Sequence, residues 1–103
     1  MVKNAYRSGR LKEYKTIEIL KPQFHLVTRM AGSHSPVDVI AIGPKDDRPY
    51  IVLLIQVKYG SGKLSKKDKE TLIQLQQNLR VGVQIEAWHF AKHAAKPSIW
   101  AVP

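Results

Sequence analysis

A run of five apolar residues, 51–55, leads directly into the polar–apolar–polar step Gln56-Val57-Lys58. A continuous apolar run of this length predicts a central strand that is covered on both faces. Side chains alternate across a strand, so Gln56 and Lys58 are expected on one face and Val57 on the other. Burying an amide or an ammonium group is costly without a partner. The partner that the sequence offers is Asp38, in a second strand candidate at 37–42.

The remaining pattern predicts a helix, three strands, a second helix and two strands. Ser65 and Asp68 match a capping box at the start of the second helix, and Gly82 is a suitable C-cap. The helices are expected at about 5–20 and 66–80, and the strands at about 24–30, 37–42, 50–59, 83–89 and 98–102. This order predicts an α/β fold in a single domain of residues 1–103, with a central mixed five-stranded sheet flanked by helices.

Charge narrows the range of partners. Seventeen Lys and Arg residues against eight Asp and Glu give a net charge of +9, which favours a polyanion and nucleic acid above all. The absence of cysteine excludes disulfides, thiolate zinc sites and cysteine nucleophiles. No apolar run approaches the roughly 18 residues of a membrane span, and the basic N-terminus lacks the apolar stretch of a signal peptide. We therefore expect a soluble, cytoplasmic protein that acts on DNA.

The first predicted helix adds a second acid to the site. Glu13 lies at helical spacing from Ile17 and Leu20, so it is expected on the inward-facing stripe. The alternative is a surface ion pair between Arg10 and Glu13. Oxygen ligands from Glu13, Asp38 and Gln56 would suit magnesium. Lys58 beside them could orient or help deprotonate an attacking water, so the set predicts a metal-dependent phosphodiesterase site.

Four segments, in order, resemble the archaeal-type Holliday junction resolvases. They are GRLKE at 9–13, RMAGS at 29–33, VDVIA at 37–41 and QVK at 56–58. This family belongs to the PD-(D/E)XK nuclease superfamily, with a restriction-endonuclease-like fold, and the resemblance covers about the first 80 residues. It implies a structure-selective endonuclease that resolves four-way junctions in DNA recombination and repair. It also implies dependence on magnesium or manganese, and a twofold homodimer.

The resemblance also implies roles for individual residues. Glu13 and Asp38 become metal-binding acids, and Lys58 becomes the catalytic lysine. Gln56 stands where these resolvases usually have glutamate, which removes one negative charge but keeps an oxygen that ligates hard cations. Ser33 matches a serine on the loop beside the site. The basic positions expected to meet phosphate near the metal are Arg7, Arg10 and Arg29.

Further DNA contacts are expected at the start of the second helix. A helix N-terminus favours phosphate, and four lysines strengthen it there, the alternative being a solvated basic turn. These lysines are Lys63, Lys66, Lys67 and Lys69. His34, in the loop beside the site, either touches DNA or is an ordinary loop residue.

Four residues near the C-terminus have a weaker link to the chemistry. His89 and His93 are spaced four apart, but the flanking turn favours a surface or phosphate-facing role over zinc. Trp88 and Trp100 lie on the last two predicted strands, where we expect core or dimer contacts rather than base-stacking platforms.

Two other functions remain open at this point. One is a different nuclease of the same superfamily that acts on flaps, ends or a specific duplex sequence. The other is a non-catalytic DNA-binding relative that keeps the fold, and Gln56 is the feature that favours it.

Overall fold

The computed structural model of the chain describes residues 2–30, 35–60, 63–79 and 81–103, except for the side chains of residues 2–8. Within this part the order of elements is the predicted one, a helix, three strands, a helix and two strands. They are α1 (Val2–Leu20), β1 (Phe24–Arg29), β2 (Val39–Pro44), β3 (Val52–Tyr59), α2 (Lys66–Leu79), β4 (Val83–Phe90) and β5 (Ser98–Ala101).

The five strands form one mixed sheet in the order β1-β2-β3-β4-β5. The first three strands form an antiparallel meander, β4 runs parallel to β3, and β5 is antiparallel to β4. The expected α/β class and the central position of the strand that carries Gln56 and Lys58 are confirmed. Because β3 and β4 are parallel, both end at the same end of the sheet, at Tyr59 and Phe90. We call this the upper end of the sheet.

Two apolar clusters, one on each face, hold the helices to the sheet. On one face, Leu20 of α1 packs with Leu53 and Ile55 of β3. On the other face, Leu72 of α2 packs with Ile85 of β4. Each of these side chains is at most 1% exposed, and burying one stabilises the fold by about 1.5–3 kcal/mol. The faces of β3 therefore alternate as predicted, with odd-numbered residues towards α1 and even-numbered residues towards α2.

The boundaries of β2 differ from the prediction. The strand begins at Val39 instead of residue 37, and it continues through Gly43 and Pro44 instead of ending before them. Gly43 has a φ of 72°, a left-handed conformation that glycine adopts at little cost. Asp38 lies just before the strand, where its carboxylate accepts from the Val57 N–H in addition to the backbone hydrogen bonds of the residue.

The start of α2 is capped as the sequence predicts. The Asp68 backbone N–H donates to Ser65 Oγ at 3.0 Å, and the Asp68 carboxylate accepts from Ser65 in return. The Gly82 φ of 82° agrees with the predicted C-cap. Neither described helix combines the length and the apolar content needed to cross a bilayer.

Candidate functional site

Asp38 is held at the site by hydrogen bonds to two neighbouring segments. Its backbone N–H donates to the Ile55 carbonyl at 2.8 Å, and its own carbonyl accepts from the Met30 N–H at 2.8 Å. Its carboxylate atom Oδ2 accepts from the Val57 N–H at 2.8 Å. The carboxylate is thus fixed against the backbone of β3, between Gln56 and Lys58 along the strand.

Burial raises the pKa of Asp38, while the hydrogen bond from Val57 and the positive charge of Lys58 oppose that rise. The net shift of the pKa is upward, so keeping the carboxylate ionised at this position costs free energy. A cation beside it would lower that cost.

Glu13 reaches the same place from α1. Burial raises its pKa first, and the negative charge of Asp38 raises it further, while Arg29 and Arg10 act to lower it. The two acids are therefore close enough to repel each other. Glu13 forms an ion pair with Arg29, at 3.3 Å between Nη1 and Oε1, with both side chains about one-fifth exposed. Arg10 contributes to the field at Glu13 through its charge.

Gln56 supplies an oxygen atom that is open for a ligand. The residue is 9% exposed, and its Oε1 atom is buried without a hydrogen-bond partner among the described residues. Leaving a buried acceptor unpaired costs about 1–3 kcal/mol. A cation that reached this oxygen would remove that cost.

Lys58 corrects one expectation from the sequence. Its side chain is 38% exposed, and Nζ lies 3.4 Å from Asp68 Oδ2, so the prediction of a buried lysine with Asp38 as its partner is wrong. Lys58 lies near the end of β3, where the first turn of α2 brings a carboxylate to it. It remains near enough to Asp38 to lower the pKa of that residue.

The donor set fits a hard divalent cation. Among the described residues, no three side chains of histidine, cysteine, aspartate or glutamate are close enough together to hold a metal ion. The set at hand is two carboxylates whose pKa values are raised, Glu13 and Asp38, together with the unpaired amide oxygen of Gln56. Magnesium is typically bound by one or two carboxylates, with waters and substrate phosphate completing its coordination. These three residues could therefore hold magnesium or manganese.

Several predicted contact residues surround this centre. Lys63, Lys66 and Lys67 are exposed at the start of α2, next to the upper end of the sheet. Arg7 lies within α1, but its side chain is outside the described part. Ser33 and His34 lie outside the described residues.

Sequence reasoning missed two charged residues. Lys12, in the turn of α1 next to Glu13, has its Nζ atom 5.5 Å from the centroid of the Tyr59 ring and 5.6 Å from that of Phe90. In the sequence, the only indication of this contact is the position of Lys12 on the predicted helix, beside Glu13. Asp68 was assigned to the helix cap, and its second role as the partner of Lys58 depends on the tertiary fold.

The C-terminal histidines and tryptophans occupy distinct positions. His89 Nε2 lies 2.7 Å from the Gly60 carbonyl oxygen, which ties β4 to the end of β3. His93 lies in the turn between β4 and β5 with a φ of 66°. Trp88 is 3% exposed in the core, as predicted. Trp100 is only partly buried at the edge of the α2 cluster.

Comparison of the chain with protein-family models, with curated proteins and with solved structures finds no match in any of the three. The case for a function is therefore carried by the residues of the site and their surroundings. Their common property is a concentration of oxygen ligands within a strongly basic molecule.

Proposed function

We propose that this chain is a structure-selective DNA endonuclease that resolves four-way junctions by metal-dependent phosphodiester hydrolysis. The observation that carries the proposal is the convergence of Glu13 and Asp38, both with a raised pKa, at the strand that carries the unpaired buried oxygen of Gln56. Two acids that repel each other form an arrangement that a divalent cation would stabilise. Magnesium or manganese is the proposed cofactor.

The protein's own residues have separate tasks in this reaction. Water adds its oxygen to phosphorus while the bond from phosphorus to the leaving oxygen breaks, and that oxygen takes up a proton. Lys58 is a partly exposed positive charge near Asp38, able to orient the water and to offset charge on the phosphate. A divalent cation, when bound, would add further stabilisation of that charge. Arg29 positions Glu13 through their ion pair.

The basic surface supports DNA as the substrate. Lys63, Lys66 and Lys67 are exposed close to Lys58, and the chain carries a net charge of +9. Phosphate contacts of this kind supply affinity without sequence preference, which suits an enzyme that selects the shape of DNA.

The resemblance to archaeal-type Holliday junction resolvases supplies the rest of the proposal. It includes the restriction-endonuclease-like fold, with which the mixed five-stranded sheet and its two helices are compatible. It also includes a homodimer that places two sites on symmetric strands, and action inside the cell in DNA recombination and repair. Sedimentation of the purified chain with and without a junction tests the dimer.

The principal experiment is cleavage of a synthetic four-way junction with magnesium or manganese. Asp38→Asn and Lys58→Ala should each lower cleavage at least 100-fold, because each removes a charge at the reacting phosphate. Lys45→Ala, at the opposite end of the sheet, is the matched surface control and should cut like the wild type. A wild type that binds the junction but cuts no DNA with either metal would overturn the enzyme proposal.

Metal binding has a readout that is separate from cleavage. A cation that binds only the folded chain raises its melting temperature as its concentration rises. Magnesium or manganese should therefore stabilise the wild type and leave Asp38→Asn unchanged. Equal stabilisation of both proteins would show that the ion binds elsewhere.

Substrate shape separates the junction resolvase from other nucleases of the superfamily. Junction, flap, blunt duplex and single-stranded end should be compared at equal concentration. We expect the four-way junction to be cut fastest, and preferential cutting of a flap or an end would assign the chain to that alternative.

A non-catalytic DNA-binding protein is the second candidate function. Two observations favour it, the amide at Gln56 in place of a carboxylate and the contact of Lys58 with Asp68. The Gln56→Glu variant distinguishes the two functions. An active wild type should need less metal after this substitution, because a carboxylate binds the cation more tightly. An inactive wild type that becomes active in Gln56→Glu would identify a binding protein that has lost catalysis.

A further inference from the structure

A small cavity lies directly beside the proposed catalytic lysine, on the face of the sheet that α2 covers. Its volume is about 220 Å³, and Lys58, His89 and Trp100 are among its lining residues. Pockets for drug-sized ligands span roughly 300–1,000 Å³, so this cavity matches a single ring system. None of the roles assigned so far to the site residues uses it.

The register of the strands explains why a cavity forms there. Trp100 of β5 is opposite Ala87 of β4, and Lys58 of β3 is opposite His89 of β4. The methyl group of Ala87 is too short to fill the space between the indole and the lysine. Leu64, just before α2, closes one side.

The cavity combines an aromatic wall with positive charge. Lys69 Nζ lies 5.7 Å from the centroid of the Trp100 ring, and Lys58 lies on the side of the proposed active site. Asp68 is the acid near this wall, and it is already paired with Lys58 at 3.4 Å. An apolar slot with an indole and two lysines is complementary to an aromatic ring attached to a phosphate.

We propose that this cavity receives one unstacked nucleobase from the DNA strand that the enzyme cuts, with Trp100 as the stacking surface. The proposal rests on the proposed nuclease function and specifies its substrate, which is DNA whose base beside the cleaved phosphate can leave the helix. Such bases occur at the crossover of a four-way junction and at the fork of a partly unpaired duplex. Lys58 borders both the cavity and Asp38, so a base held there lies next to the reacting phosphate. This role would add to the contact that Trp100 makes with the edge of the α2 cluster.

The test measures binding without metal, so cleavage does not affect the result. A fluorescent forked duplex is titrated in EDTA, and a single abasic site is moved one nucleotide at a time through the fork. Stacking of a base on an aromatic side chain changes affinity about 5- to 100-fold, so one position of the abasic site should weaken wild-type binding by that factor. The other positions should have little effect.

Trp100 variants identify the stacking surface. Trp100→Leu keeps an apolar side chain but removes the ring. This variant should bind the intact fork as weakly as the wild type binds the fork with the abasic site at the sensitive position. Placing the abasic site at that position should then cause no further loss of affinity in the variant. Trp100→Phe keeps a ring and should retain most of the affinity and the sensitivity. Melting temperatures show whether each variant is folded. If Trp100→Leu does not fold, the comparison of Trp100→Phe with the wild type still tests the role of the ring.

The charge at the cavity is tested with a matched pair of lysines. Lys69→Gln should weaken binding of the intact fork more than of the fork with the sensitive abasic site. Lys45→Gln removes the same charge at the opposite end of the sheet and should affect both forks equally. An equal effect of the two variants on both forks would contradict a role for Lys69 at the cavity.

The outcomes separate this inference from the proposed function. A flat abasic scan, or a Trp100→Leu variant that keeps the full abasic penalty, overturns the base-binding cavity, even if junction cleavage is intact. A wild type that binds neither forked nor branched DNA overturns the nuclease proposal, and the inference with it.

Discussion

Asp38 illustrates how a residue of the candidate site can oppose the stability of the fold. Its carboxylate accepts a backbone hydrogen bond, yet burial still raises its pKa. The folded chain thus binds a proton at Asp38 more tightly than the unfolded chain does. Between the ordinary aspartate pKa, about 4, and the raised folded value, stability therefore falls as pH rises. At a pH above the folded pKa, Asp38 is ionised, and the fold bears the whole free-energy cost of burying that charge.

Asp38→Asn should therefore stabilise the protein at neutral pH in EDTA. The amide oxygen can still accept from the Val57 N–H, while the charge is removed. Gains of about 0.5–1 kcal/mol are common for such substitutions and correspond to roughly 2–6 °C in Tm for a domain of this size. Thermal melts across pH test this, since the gain should shrink as pH falls through the Asp38 pKa. A variant that is less stable than the wild type at neutral pH would refute the electrostatic account.

At the residue scale, the sequence predicted the burial of side chains better than their partners. Gln56 is buried as the apolar run predicts, because alternation in a central strand is a local rule. The partner of Lys58 was wrong, because Asp68 reaches it only after α2 folds back on the sheet. Arg29 as the partner of Glu13 likewise depends on how β1 lies beside α1.

At the element scale, Gln76 joins α2 to a part of β4 that lacks a neighbouring strand on one side. β5 pairs with residues 86–89 of β4, and beyond it the Val102 N–H donates to the Ile85 carbonyl, which leaves the Ile85 N–H and the Val83 carbonyl to other partners. Gln76 Nε2 donates to the Val83 carbonyl at 2.8 Å, and its Oε1 accepts from the Ile85 N–H at 2.7 Å. One amide side chain thus satisfies a backbone donor and a backbone acceptor together.

Gln76→Met should destabilise the fold by about 2–6 kcal/mol. Methionine keeps the length of the side chain but leaves the Val83 carbonyl and the Ile85 N–H unpaired, at about 1–3 kcal/mol for each buried group. Gln77→Met, on the exposed face of the same helix, is the control and should change stability by less than about 0.5 kcal/mol. Urea denaturation measures both, and equal losses would show that Gln76 does not brace the strand.

The elements themselves were predictable in kind and order, and less so in their ends. Hydrophobic period and turn residues are local signals, so both helices and all five strands of the described part were expected. The ends depend on contacts between distant segments. The Val57 N–H donates to the Asp38 carboxylate instead of to a backbone carbonyl of β2, and Gly43 lets β2 continue to Pro44. Neither effect can be read from the pattern of apolar residues.

At the scale of the whole molecule, the distribution of lysines bears on where the proposed DNA substrate would lie. Lys66 and Lys67 are exposed at the start of α2, on the side of Lys58. Lys21 and Lys45 are also exposed, but they lie where β1 begins and β2 ends, at the opposite end of the sheet. If only net charge mattered, the two pairs of lysines would contribute equally to DNA binding. If DNA follows a defined path across the site, only Lys66 and Lys67 contact phosphate.

The salt dependence of junction binding distinguishes these cases. Each lysine that contacts phosphate contributes about one unit to the slope of log K against log salt, because binding releases a condensed counterion. Lys66→Gln with Lys67→Gln should therefore lower the magnitude of the slope by about 2. Lys21→Gln with Lys45→Gln removes the same charge and should leave the slope nearly unchanged. Equal slopes for the two double variants would mean that the chain binds DNA through its overall charge. The lysines at α2 would then no longer support a DNA path across the site.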